Sequence, residues 1–186
     1  MKKMNVIIVH GAYGHPEENW FGWLKRELNA LNIECYVPQL PTPEEQNLAM
    51  WLEVFAQTCS HLIHPGTVMI GHSLGAAFIL RWLELHPSSL SSVVLVGGFL
   101  GVVGDEKFDS INSSFFKTPF NFQQIKRRAQ EFICYYGNND PYVTREEFDF
   151  ITHHLKAKKI IISNAGHFNT ASGYSQFPHL LNQLSS

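Results

Sequence analysis

Val68-Met69-Ile70-Gly71-His72-Ser73-Leu74-Gly75-Ala76-Ala77-Phe78-Ile79-Leu80-Arg81-Trp82-Leu83 is the stretch that decides the fold. An apolar run of strand character passes into a helix-like run through the pentapeptide Gly71-His72-Ser73-Leu74-Gly75. This reads as a nucleophile elbow, a sharp strand-to-helix turn that lifts a serine hydroxyl clear of the backbone. The residue types follow from the geometry. A serine on so tight a turn takes strained φ and ψ, and side chains two before and two after it would collide, so both positions favour glycine. The pentapeptide alone is a weak signal; its place between strand and helix gives it weight.

Outward from the elbow, short apolar runs of β character alternate with helical patterns. Strands are expected at residues 5–10, 33–37, 67–71, 92–97, 131–136 and 159–162. Helices are expected at 20–31, 43–61, 76–85, 122–128 and 145–155. The runs Val6-Ile7-Ile8-Val9, Val93-Val94-Leu95-Val96 and Phe132-Ile133-Cys134-Tyr135-Tyr136 are apolar throughout, as a strand covered on both faces requires. Asn19, Thr42 and Thr144 are the candidate N-caps. Thr42 is followed by Pro43 at the first helical position and Glu45 at the third, the spacing of a capping box. The alternation predicts an α/β fold, a three-layer α/β/α sandwich on a mostly or wholly parallel six-stranded sheet, in one domain spanning 1–186. Residues 98–120, rich in Gly, Ser and Phe, are expected to be irregular, with room for a short lid or specificity loop but no large cap.

Composition narrows the function class. The chain has 186 residues, 45% of them hydrophobic and 16% charged, enough to build a full core without staples. A net charge of −2 gives no electrostatic footprint for nucleic acid. The basic clusters Lys126-Arg127-Arg128 and Lys156 to Lys159 fall at helix-to-strand junctions, where a solvated face explains them. Cys35, Cys59 and Cys134 form an odd set without CxxC spacing, and Cys35 and Cys134 fall in apolar strand runs, so buried reduced thiols are expected rather than a disulfide framework. Met1-Lys2-Lys3 and Val6 to Val9 form too short an apolar segment for a signal peptide, and no run has membrane-spanning length. The expectation is a cytoplasmic enzyme.

A serine nucleophile needs a base, an orienting acid and donors for an oxyanion. Parallel α/β sheets collect ligands beyond the carboxyl ends of their strands, so the partners are sought directly after other strands. Asp140 follows the fifth strand in Tyr136-Gly137-Asn138-Asn139-Asp140-Pro141, and His167 follows the sixth in Ala165-Gly166-His167-Phe168. The candidate triad is therefore Ser73, Asp140 and His167, in the order Ser, Asp, His. The candidate oxyanion donors are the backbone N–H groups of Leu74, after the elbow, and Ala12, in His10-Gly11-Ala12-Tyr13-Gly14 after the first strand. Tyr13, Trp20 and Phe99 are the candidate pocket walls. Asp140 also suits an ordinary turn before Pro141, and Asp105 and Asp109 are the rival acids. His10 is expected to brace the glycine loop, and His72 to be structural. His153-His154 lacks a third ligand at metal spacing.

These residues carry a resemblance. The chain resembles the α/β-hydrolase superfamily and, within it, the small retinoblastoma-binding-protein-9-like (YdeN-type) serine hydrolases. The shared points are His10-Gly11, Asn19-Trp20-Phe21-Gly22-Trp23-Leu24, the elbow pentapeptide, Gly137-Asn138-Asn139-Asp140-Pro141 and Gly166-His167-Phe168. Only the N-W-F-x-W-L segment points to the subgroup. The resemblance implies hydrolytic activity on esters or amides; with the candidate triad, the expectation is a carboxylesterase-like serine hydrolase of small esters, thioesters or amides that uses no cofactor and no metal. The retinoblastoma-pocket motif L-x-C-x-E does not occur in the sequence, so the resemblance carries no such partner across. A scaffold protein with a vestigial triad and an acyltransferase using the same three residues are the alternatives.

Overall fold

The computed structural model describes residues 3–87 and 89–185. Six strands, β1 (Asn5–Val9), β2 (Glu34–Tyr36), β3 (Thr67–His72), β4 (Leu90–Val96), β5 (Ala129–Gly137) and β6 (Lys158–Ile162), pair in parallel in the order β2-β1-β3-β4-β5-β6. The helices are α1 (Phe21–Ala30), α2 (Leu48–Cys59), α3 (Leu74–Leu85), α4 (Glu106–Phe116), α5 (Phe122–Ile125), α6 (Arg145–Leu155) and α7 (Pro178–Ser185).

The continuously apolar strands split by parity, because successive side chains point to opposite faces. Ile7, Val9, Val93, Leu95, Cys134 and Tyr136 enter a core shared with α2, α3, α4 and α6. Val6, Ile8, Val94, Val96, Ile133 and Tyr135 enter a second core closed by α1 and α7. The three-layer α/β/α sandwich follows, its sheet parallel throughout. From β1 the chain crosses outward to β2, then returns past β1 to β3. The strand order therefore reverses between β1 and β3, and a crevice opens beyond their carboxyl ends. Val9 pairs with Gly71, which sets the loop after β1 beside the elbow after β3.

Several local expectations are corrected. Thr42 caps no helix: α2 begins at Leu48, with the Asn47 side chain accepting from Met50 N–H. Glu45 sits at φ +59, outside helical space, and the Gln46 side chain is engaged elsewhere. Asn19 does not cap α1 either. Trp20 occupies the cap position without a side-chain bond, while Asn19 Oδ1 accepts from Thr170 N–H at 2.9 Å. Thr144 does cap α6, accepting from Glu147 N–H at 3.1 Å.

The segment expected to be irregular contains the eleven-residue helix α4, capped by Asp105, which accepts from Phe108 N–H. The run Asn112-Ser113-Ser114 disguises it, since these residues have weak helix propensity. Tertiary partners compensate: Ser114 Oγ accepts from Leu48 N–H at 3.0 Å, helping to satisfy the first turn of α2. The buried Arg81 on α3 donates from Nε to Phe115 O at 2.9 Å, and Glu147 Oε1 accepts from Leu100 N–H at 2.7 Å. The segment is thus tied at both ends. Helix α7, absent from the sequence reading, starts at Pro178 and buries Leu180 and Leu184 one turn apart. Cys35 and Cys134 are buried and free, as expected, and Cys59 is too.

Candidate active site

Ser73 stands between β3 and α3 at φ +56, ψ −124. A residue with a Cβ holds such a conformation only when the surroundings over-determine it. Here they do. Ser73 N–H donates to Val96 O at 3.0 Å, and Ser73 O accepts from Ala76 N–H at 3.0 Å. A Cβ on Gly71 would lie 2.6 Å from Gly75 O, the expected collision across the turn. The second glycine answers to a different neighbour: a Cβ on Gly75 would lie 2.4 Å from Val9 O and 2.7 Å from His10 O. Helix α3 thus starts hard against the end of β1. A Cβ on Gly11 would meet the Ser73 Cβ at 2.9 Å, so the loop after β1 passes directly over the serine.

The three expected triad residues converge. His167 Nε2 lies 3.0 Å from Ser73 Oγ, and His167 Nδ1 lies 2.8 Å from Asp140 Oδ2. Asp140 accepts from the ring, so Nδ1 carries the proton and Nε2 accepts from the serine hydroxyl. The Asp140 side chain has no exposed surface, and that of His167 is 7% exposed. Asp140 Oδ1 accepts two further bonds, from Tyr142 N–H at 2.9 Å and Val143 N–H at 3.1 Å. The rival acids are engaged elsewhere: Asp105 caps α4, and Asp109 accepts from Val103 and Gly104 N–H.

The loops carrying the acid and the base are laced together. Asn138 Oδ1 accepts from Asn164 N–H at 2.9 Å, and Asn139 Oδ1 from Gly166 N–H at 2.8 Å. At His167 itself, N–H donates to Ser172 Oγ at 3.2 Å and the carbonyl accepts from His72 Nε2 at 2.8 Å. His72 is thus structural, as expected. Burial, reinforced by the neighbouring His167 ring, pulls its pKa down to about 3, so its ring stays neutral and donates from Nε2.

Trp20 is corrected from pocket wall to brace. It is fully buried in the core under α1, and its Nε1–H donates to Phe168 O at 2.9 Å, immediately after His167. Together with Asn19 on Thr170, it holds the histidine loop from behind, which gives the N-W segment a physical role.

In front of Ser73 lies a cleft of about 300 Å³ lined by Ala12, Tyr13, Ser73, Phe99, Val103, Asp105, Phe108, Tyr142 and His167. Of the candidate walls, Tyr13 and Phe99 line this cleft. Val103 and Tyr142 carry no signal in the sequence beyond their positions after strands. Ala12 flanks the serine, and Leu74 begins α3, where backbone N–H groups lack intrahelical partners. His10 braces the intervening loop. Its Nδ1–H donates to Gly11 O at 2.7 Å, and its Nε2 accepts from Leu40 N–H at 3.1 Å. Burial holds this ring below its ordinary pKa, favouring the neutral form that both bonds require. Among the described residues no group of three or more His, Cys, Asp or Glu is arranged to hold a metal ion, and no helix is long and apolar enough to cross a membrane.

An α/β-hydrolase sheet with a serine on a strained elbow defines a class, and sequence comparison agrees: the chain belongs to the serine hydrolase family, whose pattern matches residues 6–186. It is 26% identical over 183 residues to the putative hydrolase YdeN of Bacillus subtilis, covering 97% of this chain and 94% of that protein. It is 28% identical over 165 residues to the serine hydrolase RBBP9 of Rattus norvegicus, covering 87% and 86%. The crystal structure of the B. subtilis ydeN gene product superposes with a TM-score of 0.90 at 26% identity, over 98% of this chain and 97% of that one.

Proposed function

We propose that the protein hydrolyses small esters, thioesters or amides through an acyl-enzyme on Ser73, in the manner of a carboxylesterase. The observation that carries this reading is the unbroken line from Ser73 Oγ through His167 to Asp140, at 3.0 and 2.8 Å, opening on an aromatic-walled cleft. His167 Nε2 takes the hydroxyl proton as Ser73 Oγ bonds to the substrate carbonyl carbon. Asp140 keeps the ring in the Nδ1–H tautomer and stabilises the imidazolium that forms. The N–H groups of Ala12 and Leu74 receive the negative charge that develops on the carbonyl oxygen. His167 then passes the proton to the leaving alcohol, thiol or amine, and a water repeats the sequence to free the acid.

A cleft of about 300 Å³ lies at the small end of ligand sites, which favours a short acyl group between Phe99, Phe108 and Tyr13. Free, buried cysteines suit a reducing compartment, in keeping with a cytoplasmic enzyme. The test is hydrolysis of p-nitrophenyl acetate. Ser73→Ala and His167→Ala should each lower kcat by roughly 10⁴-fold or more, and the double variant should lose little beyond either. Substantial turnover by folded Ser73→Ala protein would refute the reading.

A further inference from the structure

Behind the cleft, two amide side chains are buried where apolar residues would be the simpler choice. Gln46 is 4% exposed and Asn112 fully buried. Gln46 Oε1 accepts from Tyr13 N–H at 2.8 Å and from Thr42 Oγ1–H at 2.5 Å. Gln46 Nε2–H donates to Asn112 Oδ1 at 2.7 Å, and Asn112 Nδ2–H donates to Phe108 O at 2.9 Å. The sense of this relay is fixed at both ends. A backbone N–H only donates and a backbone carbonyl only accepts, so each amide has one permitted orientation. The rings at the two ends also touch: Tyr13 and Phe108 meet edge to face, centroids 6.1 Å apart. Tyr13, Gln46, Asn112 and Phe108 thus close a circuit that joins the loop over Ser73 to the cleft wall on α4.

We infer that Gln46, supported by Asn112, is a positioning residue for the oxyanion loop, acting on the Ala12 N–H through the Tyr13 peptide. The inference rests on the reading of Ala12 as an oxyanion donor. Tyr13 adopts φ +58, a left-handed conformation that a non-glycine residue leaves readily unless it is held. His10 fixes the Gly11 carbonyl on one side of Ala12, and Gln46 fixes the Tyr13 N–H on the other. The Ala12 N–H between them is thereby aimed without touching either brace. Removing the Gln46 amide takes away the acceptor that holds the Tyr13 N–H and frees the loop to rotate. A donor displaced by about 1 Å costs up to roughly 100-fold in rate.

The test compares wild type with Gln46→Met, close in shape but lacking the amide, and with Asn112→Ala at the far end of the relay. For p-nitrophenyl acetate, kcat should fall about 10- to 100-fold in Gln46→Met, with KM within about two-fold of wild type. Affinity for a trifluoromethyl ketone, which forms the tetrahedral adduct, should fall by the same factor as kcat/KM. Asn112→Ala should show the same pattern more weakly, and the double variant should lose less than the product of the two. Gln46→Glu keeps an oxygen that accepts from the Tyr13 N–H and should retain more kcat than Gln46→Met. All variants are assayed well below their own melting midpoints; should Gln46→Met not fold, Asn112→Ala carries the same readouts. Unchanged kcat and inhibitor affinity in folded variants would overturn the inference, as would equal losses in KM and kcat/KM. A wild-type protein without Ser73-dependent turnover would instead overturn the function proposed above.

Discussion

The two rims of the cleft are built by different means. On the base side, Asn138, Asn139 and Asp140 are three consecutive residues, each of whose side chains accepts from nearby backbone N–H groups or from His167. On the side of the proposed oxyanion donors, the loop after β1 is held by His10 and Gln46, which reach Leu40 and Asn112 across 30 and 66 residues of sequence. The first rim is tied by one run of three residues on the loop after β5, with Trp20, Asn19 and His72 supporting the facing loop from elsewhere in the fold. The second depends on buried polar side chains delivered by distant parts of the fold. Ties that spring from one short run of residues leave a motif behind. Buried ties gathered from scattered residues are set by packing and leave none.

Four perturbations probe this contrast, in decreasing order of expected effect. Asp140→Asn keeps the size of the group but no longer enforces the Nδ1–H tautomer of His167. Turnover of p-nitrophenyl acetate should drop about 10⁴-fold with little change in melting temperature. A loss under ten-fold would show that the base rim works without its acid.

Gly75→Ala attacks the junction of the two rims, since its Cβ would stand 2.4 Å from Val9 O. Backbone lies on both sides and cannot yield cheaply, so we expect a loss of about 3 kcal/mol or more in urea unfolding. Gly101→Ala, with nothing within 4 Å and no left-handed φ, is the control and should change stability by under about 0.5 kcal/mol.

Acid should act through the buried rings. His72, with its pKa lowered to about 3, and His10, also lowered, stay neutral in the fold. Below about pH 6.5 the unfolded chain takes up protons there that the folded chain refuses. Stability is therefore full above that pH and lost as pH falls, for His72 down to about pH 3 by up to about 1.4 kcal/mol per pH unit, with His10 adding in the same direction. Urea midpoints between pH 7 and 5 should show a shallower fall in His72→Gln than in wild type.

Asn139→Ala removes one local tie, to Gly166 N–H, and should cost about 1 kcal/mol while leaving KM unchanged. A much larger loss would mean that the base rim is as cooperative as its counterpart.

What the sequence makes legible follows the same division. The elbow and the residues Asp140 and His167 each stand directly after a strand, where spacing and turn chemistry constrain them locally. The parallel sheet was readable because β1, β4 and β5 are apolar on both faces. Thr42-Pro43 with Glu45 has capping-box spacing, yet Glu45 takes a left-handed φ and Gln46 is drawn into the buried relay, so α2 starts later. Trp20 adjoins the loop over Ser73 in sequence, but the start of α1 turns its ring into the opposite core. Helix α4 is hidden by residues that are poor helix formers alone and become tolerable only when Ser114 and Asn112 find distant partners. Gln46 and Asn112 belong to no motif, and their roles exist only in the folded chain.

At the centre of the proposed function is a single hydroxyl, that of Ser73, made nucleophilic by its neighbours. Labelling of the folded protein with a fluorophosphonate, followed by mass mapping of the adduct, tests it most directly. One adduct should form, on Ser73, rapidly in wild type and much more slowly in folded His167→Ala. An unlabelled wild-type protein, or an adduct that persists in Ser73→Ala, would contradict it.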